Sequence, residues 1–387
     1  MPDTIAPESP ATRLRDGVPF CLAVFVVMRV ALSLLGAWGV RDNLPRPGED
    51  GAAPITHFPA TVGWHNAVDG MARWDAGWFV RIADEGYGTD DASAAFFPGY
   101  PTLIHVVDVI LPLGALGSAL LVSNAAFFAA LLVLYRLTTL EYDEATARRA
   151  IVLLACFPTS FFFLAPYSES LFLLLTLLCF LAARTGRWVA VVATGFAAAA
   201  TRSVGIALTP ALLPVALHDE RRRRAMAACL APLLAPLLYG LWWYRQVGNA
   251  MEPLRAQGSW HRTLQIPIVT LGHALSFGLK GLSDPTGRYW TSDLVLSLLI
   301  LVPLILWWRV LRPPYLVFVL LGVLIPLSYP LPGRPLLSLP RFLVVLFPAF
   351  WTMARRASPL MRVTLLVAFV AGQAALALAF MNWRFVF

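Results

Sequence analysis

The stretch MARWDAGWFVRIADEGYGTDDASAAFFPGYP, residues 71–101, is a polar segment between two hydrophobic blocks of the chain. On a helix at 100° per residue, its apolar side chains gather on one side: Met71, Trp74, Trp78, Phe79 and Ile82. The opposite side carries Arg73, Gly77, Arg81 and Asp84. Asp75 falls on the apolar side, where an unpaired charge is costly. It is therefore either a local residue, which caps a helix or pairs with Arg73 or Arg81, or a carboxylate with a chemical task.

The composition is that of an integral membrane protein. Of the 387 residues, 58% are hydrophobic and 13% are charged, whereas about 25% of the residues of a soluble domain are charged. Apolar runs near 20 residues long are separated by short arginine-bearing links, which is typical of helical spans and not of β-barrel strands. We therefore predict an all-α polytopic membrane protein in which residues 1–387 form one domain. The net charge of +8 comes mainly from these links, so it indicates topology and contact with membrane lipids rather than nucleic-acid binding.

About eleven apolar runs are predicted to be membrane spans. They are residues 18–40, 118–140, 150–166, 170–183, 188–201, 203–217, 225–244, 292–308, 314–329, 342–353 and 360–380. The first run is too long for a signal peptide and lacks a small-residue cleavage site, so we interpret it as a retained span. The run 98–113 is short and bounded by prolines. Its own sequence leaves three readings open: a full span, a re-entrant segment or an interfacial helix.

Arginine groups define the predicted topology, because positive residues favour the cytoplasmic side. They are Arg13/Arg15, Arg148/Arg149, Arg184/Arg187, residues 221–224, Arg309/Arg312 and Arg355/Arg356. All six groups fall on one side if the run 98–113 does not cross and if residues 188–217 form two short helices that turn at 201–203. A first outward loop, 41–97, which carries amphipathic helices, and a second large outward loop, 247–290, then lie outside the plasma membrane.

Unusual polar residues lie in the links that this topology places outside. They are Asp75, Glu169, Arg202, Arg341 and the group Gln257, Trp260, His261 and Arg262. Charges at the edge of a span are candidates for function because their desolvation must be offset. The alternative for any one arginine is a side chain that snorkels to the interface. That alternative suits Glu169 poorly, since glutamate is short and this one lies between two long apolar runs.

A pocket with one or two carboxylates and several arginines suits a phosphate-bearing substrate and a hydroxyl that must lose its proton. The chain has no P-loop, no dinucleotide-binding fingerprint and no Asp-x-Asp metal clamp, so an activated donor must come from the membrane itself. A polyprenyl-phosphate sugar meets this need. The sequence predicts no cofactor, and a divalent cation is compatible with the chemistry but unsupported, because Asp90-Asp91 is interpreted as a solvated turn. Cys21, Cys156, Cys179 and Cys229 lack CxxC spacing and predict neither a disulfide framework nor a metal site.

Six motifs occur in order along the chain. They are WDAGWFVRIADEGY (residues 74–87), FFPGYP (96–101), PYSESLF (166–172), ATRSVG (200–205), AQGSWHR (256–262) and SLPRF (338–342). This series resembles the glycosylphosphatidylinositol mannosyltransferase II (PIG-V-like) family and its bacterial relatives, which belong to the GT-C glycosyltransferases. The resemblance runs through most of the chain. It departs at Val204, where the family often has asparagine, and this puts the choice of acceptor in doubt.

The resemblance implies a GT-C-like helical bundle that takes mannose from a polyprenyl- or dolichyl-phosphate donor on the non-cytoplasmic side and inverts the anomeric centre. It implies that Asp75 is the catalytic base. Glu169, Arg202 and Arg341 are implied to bind the acceptor or the phosphate, and the predicted substrate-binding set is completed by Trp74, Gln257, Trp260 and Arg262. The acceptor is expected to be a glycan or a glycolipid.

Two other classes of function are compatible with many spans. A transporter or lipid-linked sugar flippase also has broken helices and polar groups, but it typically shows an internal repeat and polar residues at mid-membrane, and neither is found in the sequence. An assembly or scaffold protein leaves the placement of Asp75 unexplained. If Asp75 is not the base, Asp69 and Asp84 are the next candidates in the same loop.

Overall fold

The computed structural model describes residues 10–41, 65–89, 92–284, 287–384 and 386. Helices make up nearly all of the regular structure in this part of the chain, together with one isolated bridge between Leu331 and Arg334. The helices are α1 (Pro10–Gly39), α2 (Asn66–Asp69), α3 (Ala76–Glu85), α4 (Gly99–Ile110), α5 (Ala115–Glu141), α6 (Glu144–Cys156), α7 (Glu169–Arg184), α8 (Trp188–Thr201), α9 (Leu208–Leu217), α10 (Arg222–Cys229), α11 (Ala231–Val247), α12 (Glu252–Arg255), α13 (Pro267–Ser283), α14 (Arg288–Trp307), α15 (Pro313–Leu327), α16 (Leu339–Leu343), α17 (Pro348–Arg356) and α18 (Pro359–Met381).

The prediction of an all-α polytopic membrane protein is confirmed. Five of the described helical segments are long and apolar enough to cross a membrane: Gly17–Gly39, Ala115–Glu141, Arg222–Val247, Arg288–Val310 and Pro359–Met381. Four more apolar helical segments are shorter: Gly99–Ile110, Trp188–Thr201, Ser203–Leu217 and Pro313–Leu327. The bundle therefore combines full-length spans with shorter helices, and the shorter ones leave room for buried non-helical turns.

Two of the predicted spans are not continuous helices. In the run 150–166, α6 ends at Cys156, two residues before Pro158. In the run 342–353, α16 ends at Leu343 and α17 begins at Pro348. Proline cannot donate a helical hydrogen bond and disfavours a helical residue before it, so apolar composition alone overestimated the length of both helices.

The run 98–113 forms a helix that is short for a membrane span. Its helix α4 has 12 residues, which is about 18 Å and too short for a hydrocarbon core of about 30 Å. The Tyr100 hydroxyl donates to the carbonyl of Ala119 at 3.0 Å, and the Ser118 hydroxyl donates to Asp108 at 2.8 Å. Both ends of α4 therefore lie beside the first turns of α5. The short helix agrees with the first of the two conditions on which the predicted topology depends, and the topology itself stays a prediction.

The second condition is met, because the segment 188–217 forms the two short helices α8 and α9. They are separated at Arg202, whose backbone is extended, with φ −150° and ψ 140°. Gly205 allows the chain to fold back at this point, since a Cβ at that position would lie 2.5 Å from the Cα of Ala199. The break predicted at residues 201–203 is therefore where the structure turns, and it brings Arg202 to the end of both helices.

The second outward loop, 247–290, contains a helix that the sequence analysis missed. This helix, α13, packs against α14, and the Thr291 hydroxyl donates to the carbonyl of Gly278 at 2.8 Å. A Cβ at Gly278 would collide with Leu294, so glycine is needed for this approach. Glycine has low intrinsic helix propensity, which is why a segment with three glycines was interpreted as a loop. The tertiary contact decides the structure here.

Candidate functional site

Asp75 lies at the N-terminal boundary of α3, next to a strained backbone position. Trp74 has a left-handed backbone, with φ 56°, and its ring packs at 67° against Trp383 with centroids 5.6 Å apart. The Tyr167 hydroxyl donates to the carbonyl of Arg73 at 2.8 Å, which fixes the approach to this turn. Asp75 occupies the cap position but its side chain makes no capping hydrogen bond. The carboxylate is thus directed away from its own helix, and the cap interpretation is wrong.

The predicted division of this stretch into two helical faces is also wrong for Arg73. The helix begins only at Ala76, and Arg73 is buried before it. Its Nε donates to the carbonyl of Met381 at 3.2 Å, and its guanidinium lies 4.9 Å from the ring centre of Trp383. Burial lowers the pKa of Arg73 to about 10, although Asp69 acts in the opposite direction. Arg73 therefore joins α3 to the end of α18 and does not pair with Asp75.

The partner of Asp75 is Arg341, which is 266 positions away in the sequence. Arg341 Nη1 lies 2.8 Å from Asp75 Oδ2, and Arg341 Nε lies 3.1 Å from Glu169 Oε1. Burial alone lowers the pKa of Arg341, but the charges of Asp75 and Glu169 outweigh burial and raise it. One guanidinium thus bridges the two carboxylates and stays charged.

Glu169 has a second arginine partner, Arg202, which the predicted topology places on the same side. Arg202 Nη1 lies 2.7 Å from Glu169 Oε1, and the same nitrogen donates to the Ser168 hydroxyl at 3.1 Å. The guanidinium groups of Arg202 and Arg341 lie 4.9 and 5.1 Å from the ring centre of Phe342. Since Glu169 lies in the first turn of α7, the helix dipole also favours its negative charge.

These four residues form a continuous line of alternating charges, Asp75, Arg341, Glu169 and Arg202, which we name the charge row. Its formal charge is zero, because two carboxylates face two guanidiniums. The Glu169 side chain is 0% exposed and those of Arg341 and Arg202 are 11% and 14% exposed, while that of Asp75 is 29% exposed. Glu169 Oε2 makes no hydrogen bond within the described part of the chain. Asp75 is therefore the more accessible of the two carboxylates.

The charge row lies far from one arginine-rich end of the bundle. Helices α5 and α7 run parallel: the Ser123 hydroxyl donates to the carbonyl of Tyr167 at 3.1 Å where both helices start, and Arg184 Nε lies 2.8 Å from Glu141 where both helices end. Glu169 precedes Arg184 by fifteen residues in α7, which is about 22 Å at 1.5 Å per residue. Arg312 also contacts Glu141, at 3.0 Å. The site and the arginine cluster thus lie at different depths.

Three predicted residues lie in the segment that connects α12 to α13. Arg262 donates to the main-chain carbonyls of Tyr329 and Leu337, at 3.0 and 3.3 Å. Burial and the nearby Arg341 lower its pKa to about 10, and Asp75 partly offsets this. Its contacts therefore hold both ends of the segment that leads to Arg341. A direct contact between Arg262 and substrate stays a prediction.

Trp260 and Gln257 lie beside α3 and do not belong to the charge row. The Trp260 ring packs edge-on against Trp78, with centroids 6.1 Å apart, and against Phe96, at 5.7 Å. The carbonyl of Gln257 accepts from the backbone N–H of Arg262 at 3.2 Å, and the residue is half-buried. Trp260 thus covers the aromatic side of α3, the helix that Asp75 immediately precedes.

Sequence reasoning missed several aromatic residues that surround the site. Arg341 lies 5.2 Å from the ring centre of Tyr167 and 5.4 Å from that of Phe162. Tyr167 belongs to the PYSES motif and could have been selected with it. Trp383 lies in no sequence motif that predicts its contact with Trp74.

In the described ranges, no group of three or more His, Cys, Asp or Glu side chains is placed to hold a metal ion. The Asp90-Asp91 pair lies outside these ranges. The residues that do converge on Asp75 are arginines and aromatic rings, which suit an anionic ligand.

Comparison with known proteins agrees with this chemistry. Residues 52–234 match the family described as mannosyltransferase (PIG-V), and this region contains Asp75, Glu169 and Arg202. The chain is 28% identical over 254 residues to "GPI alpha-1,6-mannosyltransferase 2" of Mus musculus, covering 59% of this chain and 50% of that protein. It is 30% identical over 252 residues to the protein of that name in Cricetulus griseus, with the same coverage.

A further relative is "GPI mannosyltransferase 2" of Drosophila pseudoobscura pseudoobscura, 30% identical over 165 residues, which cover 38% of this chain and 35% of that protein. The chain thus spans half the length of these curated relatives or less. Arg341 lies beyond the region that matches the family.

Proposed function

Because residues 52–234 match the mannosyltransferase (PIG-V) family, we propose that the chain belongs to this family and is a membrane mannosyltransferase that uses a polyprenyl-phosphate sugar as donor. The acceptor is the hydroxyl of a glycan or glycolipid, and the reaction inverts the anomeric centre. The single observation that carries this proposal is the ion pair between Asp75 and Arg341, which puts a potential base beside a potential phosphate ligand.

In the proposed reaction, Asp75 accepts the proton of the acceptor hydroxyl. The acceptor oxygen forms a bond to the anomeric carbon from the face opposite the phosphate, and the bond from that carbon to the phosphate oxygen breaks. Asp75 suits this role better than Glu169, because its side chain is 29% exposed and that of Glu169 is 0% exposed. A positioned base typically accelerates a reaction by about 10² to 10⁴.

Arg341 and Arg202 stabilise the negative charge that grows on the leaving phosphate. Guanidinium groups suit this task because they donate several hydrogen bonds in one plane and stay charged. Preorganised charges in a site of low dielectric cost little reorganisation during the reaction. Glu169 keeps both arginines in place.

The proposed site faces away from the cytoplasm. The arginine-rich ends of α7 and α17 mark the cytoplasmic side by the positive-inside rule. The charge row lies about 22 Å from the Arg184 end of α7, toward the other side. An outward site in the plasma membrane suits a donor that is delivered within the lipid bilayer.

The test is transfer by the purified protein in lipid nanodiscs. Radiolabelled polyprenyl-phosphate mannose is incubated with a panel of acceptors, including alkyl mannosides and inositol glycolipids. We expect labelled product of inverted configuration with the wild type and a large loss with Asp75→Asn. If no acceptor is labelled but proteoliposomes move the labelled lipid between leaflets, the chain is a flippase and the proposal is wrong.

A further inference from the structure

The Arg341 guanidinium is a partner for two anionic groups, the Asp75 carboxylate and the phosphate of a donor. In the structure without substrate, its Nη1 atom lies 2.8 Å from Asp75 Oδ2. A guanidinium in this ion pair has fewer free donors for a phosphate. The same ion pair holds Asp75 Oδ2 against Arg341 and so away from an acceptor hydroxyl. The proposed base and the proposed phosphate ligand are therefore paired with each other.

Glu169 and Asp75 differ in the ion pairs that they retain if Arg341 moves. Glu169 retains Arg202, whose Nη1 lies 2.7 Å from its Oε1 and is held by the Ser168 hydroxyl. Asp75 has no second ion pair among the residues that the structure describes. The nearest alternatives are committed elsewhere, because Arg73 donates to the carbonyl of Met381 and Arg262 to those of Tyr329 and Leu337.

The charge balance favours an exchange of partners. The charge row is neutral, and a polyprenyl-phosphate sugar carries one negative charge on its phosphodiester. Four groups with formal or titratable charge surround Asp75: Arg341 and Glu169 of the row, together with Arg262 and Tyr167. Of the two arginines, Arg341 is the one in contact with Asp75. An incoming phosphate therefore gains most by taking the Arg341 guanidinium.

From this geometry we infer that donor phosphate and Asp75 compete for Arg341, so that binding of the donor releases Asp75 to act as the base. This inference rests on the proposed function. No covalent bond changes in this step: one ion pair breaks and another forms. The base is thereby unlocked only when a donor is present. By thermodynamic linkage, removal of the Asp75 charge must in turn strengthen phosphate binding through Arg341.

The experiment measures the binding of farnesyl phosphate, a sugar-free polyprenyl phosphate, to protein in nanodiscs. Asp75→Asn should bind it about tenfold more tightly than the wild type, toward the lower end of the coupling of about 5- to 150-fold that is usual between linked sites. Arg341→Gln should weaken binding. In the Arg341→Gln background, Asp75→Asn should change the Kd by less than about twofold, because the shared partner is gone.

Controls separate this exchange from a general effect of charge. Glu85→Gln removes an equal charge from the exposed end of the same helix α3 and should leave the Kd unchanged. Arg341→Met, which is apolar and of similar volume, provides a second neutral variant if Arg341→Gln does not fold. Size-exclusion profiles show which variants are folded.

The outcomes distinguish the inference from the proposed function. If Asp75→Asn does not tighten binding, or if the tightening persists without Arg341, the exchange is refuted, while loss of transfer in Asp75→Asn still supports the base. If Asp75→Asn tightens binding through Arg341 but retains transfer, the competition stands as binding only. The release of a base is then refuted together with the proposed role of Asp75.

Discussion

Glu169→Gln is predicted to destabilise the protein more than any other single neutral substitution in the charge row. The side chain is 0% exposed, and one of its oxygens contacts both Arg202 and Arg341, at 2.7 and 3.1 Å. Its removal leaves Arg341 with Asp75 but leaves Arg202 with only the Ser168 hydroxyl. Removing one partner of a buried ion pair costs about 3–5 kcal/mol. We expect about 3 kcal/mol here, since Ser168 still accepts a hydrogen bond.

Removal of the other partner, Arg202, should destabilise the protein less. Arg202→Met leaves Glu169 with Arg341 at 3.1 Å, so the carboxylate is not orphaned and we expect a loss of about 2 kcal/mol. The double variant removes both members of the pair together and should lose about 3 kcal/mol, not the sum of about 5. The coupling of about 2 kcal/mol lies within the range usual for residues in contact.

Reversible unfolding in mixed micelles with increasing SDS measures these free energies, and the 13 tryptophans provide the fluorescence signal. The matched control is Glu144→Gln, which removes an ion pair of the same 2.7 Å length to Arg148 at a surface where both side chains are more than 40% exposed. It should cost less than about 1 kcal/mol. Additivity of the Glu169 and Arg202 effects within about 0.5 kcal/mol would refute the argument from burial.

Three further substitution experiments test other parts of the structure. Asp75→Asn should reduce transfer by roughly a hundredfold or more without a loss of stability, as measured by initial rates and SDS unfolding; a folded variant with near-wild-type transfer would redirect attention to Asp69 and Asp84. A cysteine introduced in residues 221–224 should be shielded from an impermeant thiol reagent added outside, whereas one at the exposed Thr89 should react, with the wild type as control; the opposite pattern contradicts the topology. Gly205→Ala should lower both transfer and stability, because its Cβ would lie 2.5 Å from the Cα of Ala199 and displace the turn that carries Arg202; wild-type values of both would show that the turn adapts.

Hydropathy and arginine placement predicted much of the fold, because they show which parts of the chain favour lipid and which favour water. Both ends of α8 (Trp188–Thr201) match the predicted span 188–201. The predicted turn at Arg202 is also present, and the shortness of α4 agrees with the prediction that the run 98–113 does not cross. Composition could not show that α6 ends at Cys156, because that boundary depends on Pro158 and the fold after it. It also could not show α13, whose glycines are favourable only where α14 is in contact.

For the site, sequence reasoning gathered the correct charges but could not pair all of them. The predicted topology placed Glu169 and Arg202 in links on one side, and the structure brings them into contact. The Asp75 and Arg341 contact joins positions 266 residues apart, and the local alternatives, Arg73 and Arg81, were nearer in sequence. Arg73 instead donates a hydrogen bond to the carbonyl of Met381. Every residue has a main-chain carbonyl, so the sequence could not predict which carbonyls accept hydrogen bonds from Arg73 and Arg262.

The depth of the charge row explains why it alternates in sign. Glu169 begins α7 about 22 Å from the arginine-rich end, and its side chain is 0% exposed. At this depth an isolated carboxylate or guanidinium is strongly disfavoured, whereas a neutral row of ion pairs offsets most of the desolvation. A phosphate that reaches the row must leave the water of the headgroup region, and it can do so only where a guanidinium replaces that water. The charge of Arg341 therefore stabilises Asp75 when no phosphate is bound. When a phosphate binds, the same charge stabilises the phosphate.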